Sequence, residues 1–281
     1  MTDDGRCAEA GIPETARFAT KGELAREMLA RAFAAAVLAR WGVADEVYGN
    51  DGKLRRWLHE QRRAYVLSVA RTHIIWSEGT WTPEQVAEAI AALPREGWAR
   101  LSVGDGSKGP RVDDWVCIRL PFDSPDGWRQ SVLARRSRND PAEIAYYRVF
   151  APRETALAEM ASVAGTRWAI EESFERTKGE VGLDQYEVRR WDAWYRHITL
   201  CLLAHAYWEV TRAQTVMTLE KGGGADELIP LTTPEVRRLI LALWGPPEAL
   251  TNRLHWSRWR RRHQARARHS HYARWLHRHP P

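Results

Sequence analysis

Hydrophobic positions along the chain change their period more than once. From 21 to 38 the run KGELAREMLARAFAAAVL places Leu24, Met28, Leu29, Ala32 and Ala36 at helical spacing. It is rich in strong helix formers, which predicts an amphipathic helix. Trp41-Gly42-Val43-Ala44 reads as a strand leading into Asp45, and Gly49-Asn50-Asp51-Gly52 as a turn that opens a second helix over 53–61. Residues 64–70, AYVLSVA, are almost continuously apolar, the pattern of a strand buried on both faces of a parallel sheet. This alternation predicts an α/β core, in which active groups collect at the carboxyl ends of strands. Asp45 stands at such an end.

After a helix near 83–93 the period shortens. Strands are expected at 98–103, 115–120, 128–135 and 144–150, joined by turns such as Gly104-Asp105-Gly106 and Ser124-Pro125-Asp126-Gly127. They predict an antiparallel β-meander inserted into the α/β unit. Helical periodicity resumes at 156 and runs, with a break near 179–184, to 209. Gly222-Gly223-Gly224 reads as a flexible joint. Thr233 before Pro234-Glu235 starts a further helix over 234–243, and Gly245-Pro246-Pro247 stops it. No internal repeat is visible.

With 281 residues and 44% apolar side chains the chain can bury a core as one large domain or two small ones. Cys7, Cys117 and Cys201 are far apart and odd in number, which suggests neither a disulfide framework nor a zinc cluster and fits a reducing cytoplasm. The first residues are acidic and polar, and no run approaches the ~18 apolar residues a membrane span needs, so a soluble intracellular protein is expected. The net charge of +6 is concentrated: 253–278 holds nine arginines, several histidines and no acid. Such a block is the footprint of a nucleic-acid partner, although a solvated or membrane-surface tail has the same composition. Trp256, Trp259, Tyr272 and Trp275 are interleaved with these arginines, which suits stacking and cation–π contact along DNA. Most of the other tryptophans among the chain's fifteen are expected in the core.

The segment from Arg167 to Lys178, RWAIEESFERTK, carries the candidate chemistry. At 100° per residue Arg167, Glu171 and Lys178 share one helix face, so a carboxylate is bracketed by two cations. This suits a metal-holding carboxylate flanked by phosphate contacts, and equally an ordinary salt-bridged helix face. Asp45 likewise reads either as a strand-end acid or as a turn cap bonded to a local amide, and Glu46 is expected to point to the opposite side if the strand persists. His73, His197 and His205 form no metal pair. Gly104-Asp105-Gly106-Ser107-Lys108-Gly109 lacks the phosphate-loop order and reads as a hairpin turn.

The spacing Arg167-x-x-x-Glu171-x-x-x-x-x-x-Lys178 resembles the third catalytic motif of insertion-sequence DDE transposases, where a Tyr-Arg-Glu-Lys signature surrounds the last acid. The stretch from Lys178 to Arg189, then Trp194 to Leu200, resembles one subgroup of these enzymes. So, in order, do the segments 41–49, 104–110, 145–147 and 256–268. The resemblance implies an incomplete RNase H-like core with an inserted β-meander and a helical, basic C-terminal region. It divides the chain into core (1–75), β-rich insertion (76–155), a helical part bearing the glutamate (156–220), a linker and helix (221–251) and a DNA-contacting tail (252–281). By the same resemblance Asp45 and Glu171 are the second and third catalytic acids and metal ligands. Arg167 and Lys178 are phosphate contacts, joined in the tail by Arg253, Arg258, Arg260, Arg261, Arg262, Arg266 and Arg268. The signature tyrosine falls at Ala164, so one phosphate or end-sequence contact is lost.

The chemistry implied is phosphoryl transfer on double-stranded DNA, at element ends and target, with two Mg²⁺ or Mn²⁺ ions about 3.5–4 Å apart. The first acid is expected on a central strand well before 21–38. Asp3 and Asp4 have no strand-like run before them and are poor substitutes. A chain carrying two of the three acids is therefore expected to be inactive alone and marginal in isolation, with open sheet edges, unless a separately encoded N-terminal fragment or a second copy completes it. A cytoplasmic, nucleoid-associated location follows. The competing readings are a non-catalytic DNA-binding or regulatory remnant, and a nuclease using other acids, for which no third carboxylate is evident.

Overall fold

A computed structural model describes residues 3–76, 82–106, 109–121, 126–221, 228–244 and 246–278. The predicted joint at Gly222-Gly223-Gly224, the stop at Gly245 and parts of the turns at 104–109 and 124–127 lie outside the described residues or side chains. The chain divides into two compact units, one of 18–106 and 110–169 and the other of 1–17, 107–109 and 170–281. The second opens with a short helix, α1 (Asp4–Glu9).

The first unit is built on a sheet. Helix α2 (Lys21–Ala34) starts at a capping box, with Thr20 accepting from the Glu23 amide and Glu23 from that of Thr20. It ends earlier than its composition predicts, because Ala36 turns into the left-handed region (φ 54) and Val37 bonds back to Ala32. Strand β1 (Trp41–Ala44) leads to a one-turn helix, α3 (Glu46–Gly49), then α4 (Gly52–Glu60) and β2 (Ala64–Val69). β1 and β2 pair in parallel, Trp41 level with Ala64 and Ala44 with Leu67, as the apolar run of β2 predicts. β3 (Ile74–Trp76) and β4 (Pro83–Gln85) form a small hairpin before α5 (Val86–Ala91). The expected helix at 83–93 thus loses its first turn to pairing with 74–76, and Gln85 caps what remains.

The meander follows: β5 (Ala99–Gly106), β6 (Gly109–Arg119), β7 (Trp128–Arg136) and β8 (Ile144–Pro152), closed by α6 (Leu157–Gly165). Its strands continue the main sheet, whose order is β1-β2-β8-β7-β6-β5, with β8 antiparallel to β2. One face buries Val66, Trp115, Leu133, Tyr147 and Val149 under Met160, Ala161 and Ala164 of α6. The other buries Tyr65, Leu67 and Phe150 against Leu54 and Leu58 of α4. Gly165 ends α6 where a Cβ would press on Val103 of β5 at 3.0 Å. β1 lies at the rim. Its four residues are half-buried, whereas β2 is buried nearly throughout, and among the described residues no strand pairs with its outer edge. Phe18, Leu24, Met28, Val37 and Leu38, before β1, are exposed.

A buried basic cluster lies beneath α4. His59 Nε2 is 2.7 Å from the Tyr65 hydroxyl, and Arg148, 9% exposed, bonds Gln130. Burial, then the charges of Arg148 and Arg55, pushes His59 down to about 4; His73 is lowered to about 4 by burial, then Arg55 and Arg148. Both are neutral when folded. As pH falls below 6.5 the unfolded chain takes up these protons first, so the stability they confer is complete above that value and lost on the way to about 4. The full shift would correspond to about 3 kcal/mol per histidine, and partial solvent access reduces this to about 2. Denaturant midpoints should therefore fall across that window in the wild type and fall less in His59→Gln.

The second unit is helical. α7 (Trp168–Val181) is followed by a left-handed Gly182 (φ 69) and an irregular stretch, then α8 (Trp191–Lys221), α9 (Thr233–Ala242) and α10 (Pro247–Arg278). Ion pairs tie the helices: Arg237 to Glu180 at 3.0 Å and Arg176 to Glu209 at 3.6 Å. Among the described residues no helix is long and apolar enough to cross a membrane.

Candidate functional site

The carboxyl ends of β1 and β2 open on a cleft of about 650 Å³ within the sheet unit. It is lined by Ser68 to Arg71 and Ile144 to Tyr147, by Arg111, Asp113 and Trp115 of β6 with Arg135 of β7, and by Ala164, Gly165, Arg167 and Trp168. Parallel pairing puts Asp45, the residue after Ala44, at this end, as α/β cores do with their active groups. Asp45 is exposed, and its Oδ1 accepts from the Val47 amide at 3.0 Å as the cap of α3. The cap and the cleft position coexist, since a carboxylate has a second oxygen. Glu46 differs from expectation: the strand stops at Ala44 and α3 begins at Glu46, so both acids line the same cleft.

Gly49 makes this turn possible. A Cβ there would run into the Ser68 carbonyl oxygen, so α3 lies directly on β2 and holds Asp45 at its start.

Arg167 reaches the cleft from the segment between α6 and α7, its amide bonded to the Ala164 carbonyl at 3.3 Å. Asp45 and Arg167, far apart in sequence, thus line one cavity. Glu171 is exposed in the first turn of α7 and Lys178 in its last, seven residues apart and so on one face.

Arg71, Arg111, Asp113, Arg135 and Tyr147, which no motif marks, also line the cleft. Four arginines and three carboxylates line the cleft. Arg135 takes up two acids, Glu143 at 2.7 Å and Asp113 at 3.7 Å. Burial pushes the Tyr147 phenol up, while Arg135 and Arg167 pull it down and Asp113 and Glu143 push it up. The alternation Arg111-Asp113-Trp115 on one strand face was a readable signal.

Residues 1–97 match the family model of the DDE superfamily endonuclease. The match takes in β1, Asp45, β2 and Arg71 and spans about a third of the chain. No curated protein matches the chain. Enzymes of this superfamily generally use divalent metals. The donor chemistry here fits such an ion in part: Asp45 and Glu46 are hard oxygen donors, and Mg²⁺ needs few protein ligands because it keeps several waters. Among the described residues no group of three or more His, Cys, Asp or Glu side chains could hold a metal.

The C-terminal arginines divide. Arg260 makes two hydrogen bonds to Glu235, at 2.6 and 3.0 Å, and Arg261 bonds the Ile229 carbonyl at 2.6 Å. Burial pushes the Glu235 carboxyl up, but hydrogen bonds from Arg260 and Ser257 and the charges of Arg260 and Arg238 leave it below its ordinary value. Arg260 therefore ties α10 to α9, and Arg261 ties it to the segment before α9. Arg253, Arg258, Arg262, Arg266 and Arg268 are exposed.

Proposed function

We propose that the chain is a transposase of an insertion sequence, acting on double-stranded DNA by metal-assisted phosphoryl transfer with Asp45 and Glu171 as its acids. The observation that carries this is the cleft at the carboxyl end of β1, which Asp45 and Arg167 of the Arg-Glu-Lys motif both line. Asp45 and Glu171 would hold Mg²⁺ or Mn²⁺, which supplies charge neutralisation at the phosphate and a more acidic bound water. The chain's own residues do the rest. Arg167 and Lys178 bind and orient the phosphate, with the tail arginines Arg253, Arg258, Arg262, Arg266 and Arg268 gripping flanking backbone. The internal partners of Arg260 and Arg261 suit a structural role instead. The parallel β1–β2 pair with an acid after β1 supports reading the sheet as an RNase H-like core, with the antiparallel β5–β8 strands read as its insertion.

The outer edge of β1, unpaired among the described residues, supports a further element of this reading: a strand bearing another acid pairs there. Without it, strand transfer is not expected. The alternative is a non-catalytic DNA-binding or regulatory role, for which the exposed arginines of α10 would suffice. Duplex binding followed by anisotropy separates both readings from a solvated tail, because log K should fall with log salt at about 0.9 per phosphate contact. Salt-independent affinity would reject both. Metal-dependent strand transfer by the chain alone would overturn the need for another strand.

A further inference from the structure

Tyr147 is the cleft residue whose chemistry is least accounted for. It lies on β8, level with Ser68 of β2 and Leu133 of β7, and is 7% exposed. Its ring stacks on Trp115 at 6.2 Å between centroids and shares a core cluster with Ala164 of α6. Its hydroxyl has no hydrogen-bond partner among the described residues, although Tyr147 lines the cleft and feels the charges of Arg135 and Arg167. Arg71 and Arg111, on other parts of the same lining, have no ion pair among the described residues either.

We propose that the Tyr147 hydroxyl donates a hydrogen bond to a backbone phosphate oxygen of DNA held in this cleft, with Arg71, Arg111 and Arg167 supplying the surrounding charge. This rests on reading the cleft as the DNA site. An alanine at 164 leaves the helix side of the cavity short, and the sheet supplies the hydroxyl from below. Burial keeps the phenol protonated, so it acts as a donor and carries no charge toward the phosphate.

The test compares the full-length wild type with Tyr147→Phe, a near-isosteric change, in duplex-DNA anisotropy over a salt series. A hydrogen bond to a charged group implies a loss of about tenfold or more in affinity. The salt slope should not change because no cation is removed. The thermal midpoint should also hold; an affinity loss matched by a fall in midpoint would assign Tyr147 a packing role and overturn the proposal. Duplexes with single methylphosphonate substitutions locate the contact: at one position the penalty seen with wild type should vanish in the variant, and equal penalties everywhere would overturn it. A difference seen with inorganic phosphate and absent with duplex DNA would remove DNA as the ligand. If Arg71→Gln/Arg111→Gln weakens binding and Tyr147→Phe does not, the cleft reading survives and the hydroxyl contact fails. If the wild type binds no DNA, both fail together.

Discussion

Gly49→Ala should destabilise the sheet unit by about 3 kcal/mol, the upper part of the range for forcing atoms into a packed site. The cause is space: an added Cβ meets the Ser68 carbonyl oxygen and comes within 3.3 Å of the Leu67 Cβ. Neither obstacle is the tip of a flexible side chain. Ser68 belongs to β2, which is held between β1 and β8, so relief must come from lifting α3 off the sheet. That movement carries Asp45, whose side chain caps α3 at the Val47 amide. The variant should thus lose stability and binding of divalent metal together. Gly97→Ala is the matched control, because nothing lies within 4 Å of its added Cβ, and it should change stability by less than about 0.5 kcal/mol. Thermal unfolding of both against wild type decides the matter, and equal midpoints would mean that α3 does not rest on β2.

Neutralising the tail should have the largest effect on DNA. Arg258, Arg262 and Arg266 are exposed on α10 and spaced four apart, which spreads them over an arc of only about 80°. Three phosphate contacts contribute about 2.7 to the log-log salt slope, so replacing all three with glutamine should flatten it by that amount and weaken binding on the order of a hundredfold near 0.1 M salt. Arg260→Gln should behave differently. Its guanidinium holds Glu235, so its loss should lower the thermal midpoint and leave the salt slope nearly intact. Anisotropy titrations of the two variants read this contrast directly; an unchanged slope in the triple variant would take the tail out of the DNA contact.

Local chemistry made part of this fold legible. The apolar run at 64–70 specified a buried parallel strand, the alternating segments from 98 to 150 specified a meander, and the strand-end position of Asp45 followed from the short run 41–44. Tertiary pairing set the rest. α2 stops at an alanine in the left-handed region, where no glycine announces it, and 83–85 become a strand because 74–76 lie beside them. The cleft was legible only in pieces. Asp45 and Arg167 carried motif spacing, whereas Arg71, Arg111 and Tyr147 converge through strand register, which a single sequence does not display. The division of the tail was hidden for the same reason, since Glu235 lies on a different helix from the arginine it holds.

Manganese binding tests the central assignment most directly. Mn²⁺ titrated into the full chain with duplex DNA and followed by electron paramagnetic resonance reports bound ion through loss of the free-ion signal. Asp45→Asn and Glu171→Gln should each weaken that binding, by roughly ten- to a hundredfold if each carboxylate is a ligand. Wild-type binding retained in both variants would contradict the assignment of these two acids to a metal site.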